Sequence, residues 1–254
     1  MTISMGNAVW YVVMLSLVPV TVLPYLVIRN RPEQEIRRIL VILSVIATML
    51  FFILRLMLFT DETFIAEFGT GWKVKLSHLL PFHLCYVTPL LLIAGLLADR
   101  KRLIAFSFYI GPIGAILAIA FPDGFYIDKP LLIPSVFMFY LLHALLIALY
   151  FNSGFYGFFR IGWTDGVIAV VYLMVIALIM HGVNLAGRAL GFSDMNYFYT
   201  MESGGSGLLE TFHEWNPRPY LYLFLPCTAI GLVWTTLMTA CYKVITLLRK
   251  KRRL

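Results

Sequence analysis

The sequence predicts an all-α polytopic membrane protein with seven transmembrane helices. Three observations carry that class. Hydrophobic residues make up 61% of the 254 and charged residues 13%, against roughly 45–50% and ~25% in soluble domains. Mean hydropathy is +0.86, which is more apolar surface than one soluble core of this size can hide. Seven stretches are apolar over the roughly 20 residues that a helix needs to cross a hydrocarbon layer about 30 Å thick. This composition excludes a soluble globular enzyme, a disordered chain and a secreted disulfide scaffold. The three cysteines all fall within apolar stretches and make no disulfide framework.

The stretches are taken in chain order. Spans are expected at about 8–28, 39–59, 79–98, 103–121, 131–151, 166–187 and 220–245, together forming a single integral membrane domain over 1–254. They are too long for membrane β-strands, which need only about 9–11 residues of alternating polarity. The first lacks a basic flank and a small-residue cleavage site, and reads as a retained span. Span 3 opens at Pro81 and carries Pro89; span 4 has a weak point at Gly111, Pro112 and Gly114, read mainly as a place of close helix packing. The long segment 188–219 holds Gly204, Gly205 and Gly207, then His213 to Pro217. A loop of that length is a functional lid or a flexible tether with an interfacial tryptophan.

Charge sets the expected orientation. Segments 29–38, 99–102, 152–165 and 243–254 hold fourteen of the twenty basic residues; the opposite side holds Lys73, Lys75, Lys129, Arg188 and Arg218. The positive-inside rule then puts the N-terminus outside and the C-terminus in the cytoplasm. Nine acids, among them Asp61, Glu67, Asp123, Glu202 and Glu214, fall on the outer side. The net charge of +7 follows from topology rather than nucleic-acid binding, and the tail Arg249 to Arg253 is expected to lie on anionic lipid. A cell membrane, the bacterial plasma membrane, is the expected location and membrane lipids the expected partners.

The remaining basic residue, Arg55, lies inside span 2. Ionisable groups at mid-bilayer cost roughly 2.5–3.5 kcal/mol on insertion scales, so each is a site candidate. The candidates are Arg55, His83, His143 and His181, with Cys85 and Cys227 as soft groups. At about 1.5 Å of rise per residue, Arg55, His83, Cys85, His181 and Cys227 lie roughly 6–10 Å below the outer face, and His143 near 18 Å. Arg55 either snorkels to the headgroups or faces the bundle and holds a phosphate or carboxylate. In a regular helix His83 and Cys85 point to opposite faces, so they form no direct pair unless Pro81 unwinds the helix start. A thiol nucleophile needs a base within hydrogen-bond reach, and depth favours His181. Asn184, Asn196 and Tyr197 are further binding candidates, or else loop caps and interfacial anchors. The histidines lack metal-ligand spacing, no nucleotide motif is present, and neither metal nor cofactor is expected.

Five pieces in order carry a family resemblance. Leu80-Pro81-Phe82-His83-Leu84-Cys85 resembles the LPxHLC signature of the YwaF family of bacterial integral membrane proteins, which is related to the vertebrate transmembrane protein 164 family. Tyr109 to Pro122 resembles that family's YFxGxxGAxxAxxTP stretch, and Phe139 to His143 its FxxxH pattern. Val183-Asn184 with Asn196 to Tyr199 resembles VN…NYxY, and Glu214 to Tyr220 loosely resembles the approach to the last span. Together they cover about residues 35–245. The resemblance implies an acyltransferase of the vertebrate kind, which places polyunsaturated acyl chains on ether phospholipids with a cysteine nucleophile and a histidine partner. Carried over, Cys85 is the nucleophile, His143 the histidine, and His83 part of the same motif; His181 stays as the second choice. Three functions follow for testing: a thiol-dependent acyltransferase acting on phospholipid or a related lipid, a transporter or channel for a small anion or proton-coupled solute, and a non-catalytic lipid- or ligand-binding protein.

Overall fold

Hydrocarbon offers the backbone no hydrogen-bond partner, so a chain this apolar satisfies its amides within helices. The computed structural model describes residues 2–122 and 125–251, without the side chains of Glu67 and of 245–251. Ten α-helices run through the described residues: α1 Ala8–Ile28, α2 Glu33–Leu58, α3 Glu62–Phe68, α4 Trp72–Leu79, α5 Leu84–Leu97, α6 Lys101–Ala120, α7 Pro134–Phe155, α8 Trp163–Ala189, α9 Gly207–Trp215 and α10 Leu221–Lys251. Two-residue strands β1 (Thr2–Ile3) and β2 (Lys129–Pro130) pair antiparallel. Six helices among the described residues are long and apolar enough to cross a membrane, and the bent pair α4–α5 makes a seventh span if counted as one. The all-α polytopic class stands. Asp123, Arg252 and Arg253 lie outside the described residues, as do the side chains of Glu67, Arg249, Lys250 and Lys251.

Two expected elements differ. Span 3 is not one helix over 79–98: α4 stops at Leu79, α5 starts at Leu84, and the two meet at 45°. The cause is Pro81. A residue before proline is driven out of the helical region, and Leu80 sits at φ −62°, ψ 131°. His83 then takes the extended N-cap position of α5, at φ −78°, ψ 155°. The segment 188–219 is not a featureless loop either. It carries a 3-10 turn at Tyr197–Tyr199 and the nine-residue α9.

Helices α6 and α7 form the centre. In each, 67% of the apolar window is buried inside the protein, against 6% for α1 and 22% for α8 and α10. α7 packs on α1, α2, α5 and α6; α6 packs on α5, α7, α8 and α10. Packing in lipid relies on small residues and interhelical polar contacts, and α6 shows both. Gly111 lies against the Tyr150 ring, and Gly154 of α7 against the Phe108 ring. Ser107 Oγ donates to Thr88 O at 3.0 Å, and Trp234 Nε1 of α10 donates to Tyr109 O at 2.8 Å.

The two ends of the bundle are fastened separately. At the arginine-rich end, Arg37 donates to Leu96 O at 2.7 Å, pairs with Asp99 at 3.1 Å and covers the Phe158 ring. At the opposite end, Asp61 caps α3 through Thr63 N at 2.9 Å and Phe64 N at 3.3 Å. Lys129 reaches Thr63 Oγ1 there, and Tyr197 Oη donates to Ser77 O at 2.7 Å.

Candidate functional site

The break at Pro81 places the first turn of α5 on the wall of a cavity of about 280 Å³. That is near the lower end of the roughly 300–1,000 Å³ common for small-ligand clefts. Most of the wall is apolar: Phe51 and Leu54 of α2, Ile110 to Ala118 along α6, Leu146 of α7, and Leu223 and Phe224 of α10. Its polar groups are few: Arg55, His83, Cys85, Thr88, His143 and Tyr150 among them. The catalytic candidates Cys85, His83 and His143 therefore share one cavity with Arg55. Cys227 lines it from α10.

Each polar group is held by its own element. Cys85 is a free, half-buried thiol in the first turn of α5. Backbone donors at a helix start lack intrahelical acceptors. Here Tyr86 N and Val87 N both bond to His83 O. His83 lies outside the helix, so the opposite-face geometry of a continuous span does not apply. Its ring packs against Tyr197 at 5.4 Å and Tyr199 at 5.7 Å.

His143 is buried, and its Nδ1 lies 2.7 Å from Phe139 O. A carbonyl only accepts, so Nδ1 carries the proton. The neutral ring then keeps its Nε2 lone pair for other use. The ring lies 4.3 Å from Phe139 and 5.3 Å from Phe51. The contact with Phe51 sets His143 beside α2 one turn from Arg55. α7 starts at Pro134 rather than 131, which brings His143 to about 14 Å from the helix start.

Arg55 faces the bundle rather than snorkelling. Its Nε donates to Tyr86 Oη at 3.3 Å, and its charge acts on His83, Cys85 and His143. Thr88, one turn after Cys85, shares a 2.6 Å hydrogen bond with Tyr150.

The other binding candidates lie behind the wall. His181 Nδ1 is 3.2 Å from Thr200 Oγ1, and its ring rests on Tyr220 at 5.3 Å. Asn184 is fully buried; its Nδ2 donates to Tyr197 O and to Thr200 Oγ1, and its Oδ1 accepts from Tyr197 N, all at 2.9 Å. Asn196 Oδ1 accepts from Met201 N and Glu202 N, while its Nδ2 donates to Glu202 O. These bonds clamp a turn in which Phe198 and Tyr199 both have positive φ, 58° and 54°, a conformation costly for bulky side chains. The turn sets Phe198, Tyr199 and Thr200 on the cavity wall.

Several residues of the site escape a reading of the sequence. Tyr126, Tyr150 and Tyr220 on the cavity wall, and Tyr86 behind Arg55, look like interfacial or packing tyrosines. The apolar face of α9 supplies Leu208, Leu209 and Phe212. Their 1-2-5 spacing on one helical face was a usable signal.

No curated protein and no solved structure matches the chain. A family model does: that of the TMEM164 family matches residues 3–239, nearly the whole length and every wall of the cavity. The chain belongs to the TMEM164 family.

Proposed function

We propose that this membrane protein is a thiol-dependent acyltransferase acting on phospholipid or a related lipid. The observation that carries the reading is the cavity shared by Cys85 and His143, with the His143 Nδ1 proton committed to Phe139 O. An imidazole tied in this way offers Nε2 as a general base. The chemistry balances in two halves. Cys85 Sγ attacks the ester carbonyl of a donor lipid while His143 takes the thiol proton. The tetrahedral oxyanion forms near the first turn of α5, where the helix dipole favours negative charge. It collapses to a thioester, and the His143 proton leaves with the lysolipid alkoxide. An acceptor hydroxyl then gives its proton to His143 and attacks the thioester; the thiolate leaves and recovers the proton. Arg55 supplies the cation that offsets this charge and holds a lipid phosphate or carboxylate.

The apolar wall suits an acyl chain, and α9 lays Leu208, Leu209 and Phe212 across it as a lid. The same proposal includes the bacterial YwaF branch, a plasma-membrane location, and an N-terminus outside with the cavity toward the outer leaflet. The order of the five motifs and the distribution of the basic residues support it. The test is acyl exchange between a donor phospholipid and a lysophospholipid in proteoliposomes. Exchange by the wild type and none by Cys85→Ser is expected. Exchange that survives Cys85→Ser would rule out the thiol mechanism.

A further inference from the structure

Arg55 has one edge of its guanidinium occupied and the other open. Nε donates to Tyr86 Oη at 3.3 Å, and the Tyr86 hydroxyl donates its own proton to Phe51 O at 3.1 Å. Tyr86 has no solvent exposure, and its ring packs on Phe51 at 5.2 Å and Phe52 at 5.6 Å. The hydroxyl proton is thus committed to one carbonyl, and the oxygen lone pairs face Nε. The tyrosine has no freedom to turn, so it fixes the plane of the guanidinium.

The two terminal nitrogens of Arg55 carry four N–H donors. Among the described residues they make no hydrogen bond. The ion pairs found there involve Arg31, Arg37 and Arg188, not Arg55. A guanidinium stays charged in proteins, and a charge in a membrane interior without a counter-ion is costly. The surrounding wall offers aromatic rings, hydroxyls, thiols and imidazoles, but no carboxylate among the described residues. An anion bound in the cavity would supply that counter-charge. The open fork matches two oxygens of one carboxylate or phosphate.

We infer that Tyr86 is a positioning residue: it orients the open fork of Arg55 onto the oxyanion of an amphiphile, whose chain lies along the apolar wall. The inference rests on the reading of the cavity as a lipid site, but not on Cys85 acting as a nucleophile. Its consequence for substrate class is that a lipid with an oxyanion is bound and an uncharged lipid of the same length is not.

The test uses full-length Cys85→Ser protein in a non-ionic detergent, so that thiol chemistry plays no part. Dodecyl phosphate is the probe, dodecanol the uncharged control and inorganic phosphate the chainless control. Ligand-induced thermal stabilisation gives the apparent Kd. Dodecyl phosphate should bind, and dodecanol at least tenfold more weakly. Tyr86→Phe, which keeps the ring, should raise the Kd for dodecyl phosphate about tenfold. On an Arg55→Gln background the same change should do nothing further, which a merely structural role would not produce. Arg55→Lys keeps the charge and loses the fork, and should also weaken binding about tenfold; it serves if Tyr86→Phe does not fold. Equal binding of dodecyl phosphate and dodecanol would overturn the inference. So would an unchanged Kd in Tyr86→Phe, or in Arg55→Lys, or an equal Tyr86→Phe penalty with and without Arg55. Inorganic phosphate binding as tightly as dodecyl phosphate would overturn the amphiphile assignment and make the ligand a free anion. Loss of acyl exchange with these binding results intact would remove the enzyme reading alone.

Discussion

Gly111→Ala should damage the cavity from behind. A Cβ at Gly111 would lie 2.3 Å from Cδ2, 2.5 Å from Cε2 and 2.6 Å from Cγ of Tyr150. Ordinary contact begins at 3.4 Å, so the ring must retreat by about 1 Å into a packed centre. It has little room, because Tyr150 is fully buried and its hydroxyl is tied to Thr88 at 2.6 Å. Overpacking of this kind costs about 1–3 kcal/mol. Losing the hydrogen bond adds about 0.5–1.5 kcal/mol. Alanine's better helix propensity returns about 0.5–1 kcal/mol. The balance is a loss of roughly 0.5–4 kcal/mol, centred near 2, or a Tm lower by roughly 4–8 °C at that centre for a chain of this size. The assay is thermal unfolding of the purified protein in detergent, with Gly182→Ala as the matched control. Nothing lies within 4 Å of a Cβ at Gly182, so that variant should be neutral or slightly stabilised. Tyr150→Leu should recover part of the Gly111→Ala loss, because the two changes relieve one contact. Equal Tm values for the wild type and Gly111→Ala would refute the packing described for α6 and α7.

Three further outcomes are expected. Burial pushes the Asp61 carboxyl up, but hydrogen bonds from the Thr63 hydroxyl and the Phe64 and Thr63 amides, with Lys129 nearby, hold it below the ordinary value. A depressed folded-state value means that the contribution is present above the unfolded pKa near 3.9 and is lost as pH falls through the folded value. Unfolding scans from pH 6 to pH 3 should therefore show an acid-side loss that Asp61→Asn reduces; an identical pH profile would contradict the cap. Asn184→Ala removes three 2.9 Å bonds from the turn at 197–200 and should cost about 1–3 kcal/mol. Faster hydrogen exchange confined to about 195–201 is the signature, and unchanged protection would show that the clamp is not needed. For orientation, cysteines placed at Ser193 and at Arg31 should react oppositely with an impermeant thiol reagent in intact cells, with Ser193 labelled. The reverse pattern would invert the proposed topology.

Much of the fold was legible because lipid allows so few backbone solutions. Length and apolarity locate α1, α6, α7 and α8 to within about four residues, while α2 starts six residues earlier and α10 ends six residues later than the apolar runs. The bend in span 3 was harder to read. Its apolar run continues through Leu79 and Leu80, and only Pro81 marks the break, by its effect on the residue before it. The helix α9 was missed because Gly204, Gly205 and Gly207 read as a flexible tether, while its apolar face needs the cavity beneath it to make sense. Within the site, Arg55, His83, Cys85 and His143 were legible as polar groups in an apolar chain. Depth counting alone misjudged the company of His143. A shift of three residues in the start of α7 changes its depth by about 4–5 Å, and only the ring contact with Phe51 shows the true level. Tyr86 and Tyr150 were not legible, because a tyrosine at a span end has a common use as an anchor, and its hydrogen-bond partner lies far away in sequence.

The most direct measurement is the rate at which an activated acyl ester labels Cys85 in the purified, lipid-reconstituted protein, with mass spectrometry to place the adduct. Wild type should carry the acyl group on Cys85. His143→Ala should label about 10²–10⁴ times more slowly, the usual contribution of a positioned general base, while His181→Ala stays near the wild-type rate. Labelling of Cys85 at equal rates with and without His143, or an adduct found on Cys227 instead, would contradict the assignment of this cavity as a cysteine–histidine acyl-transfer site.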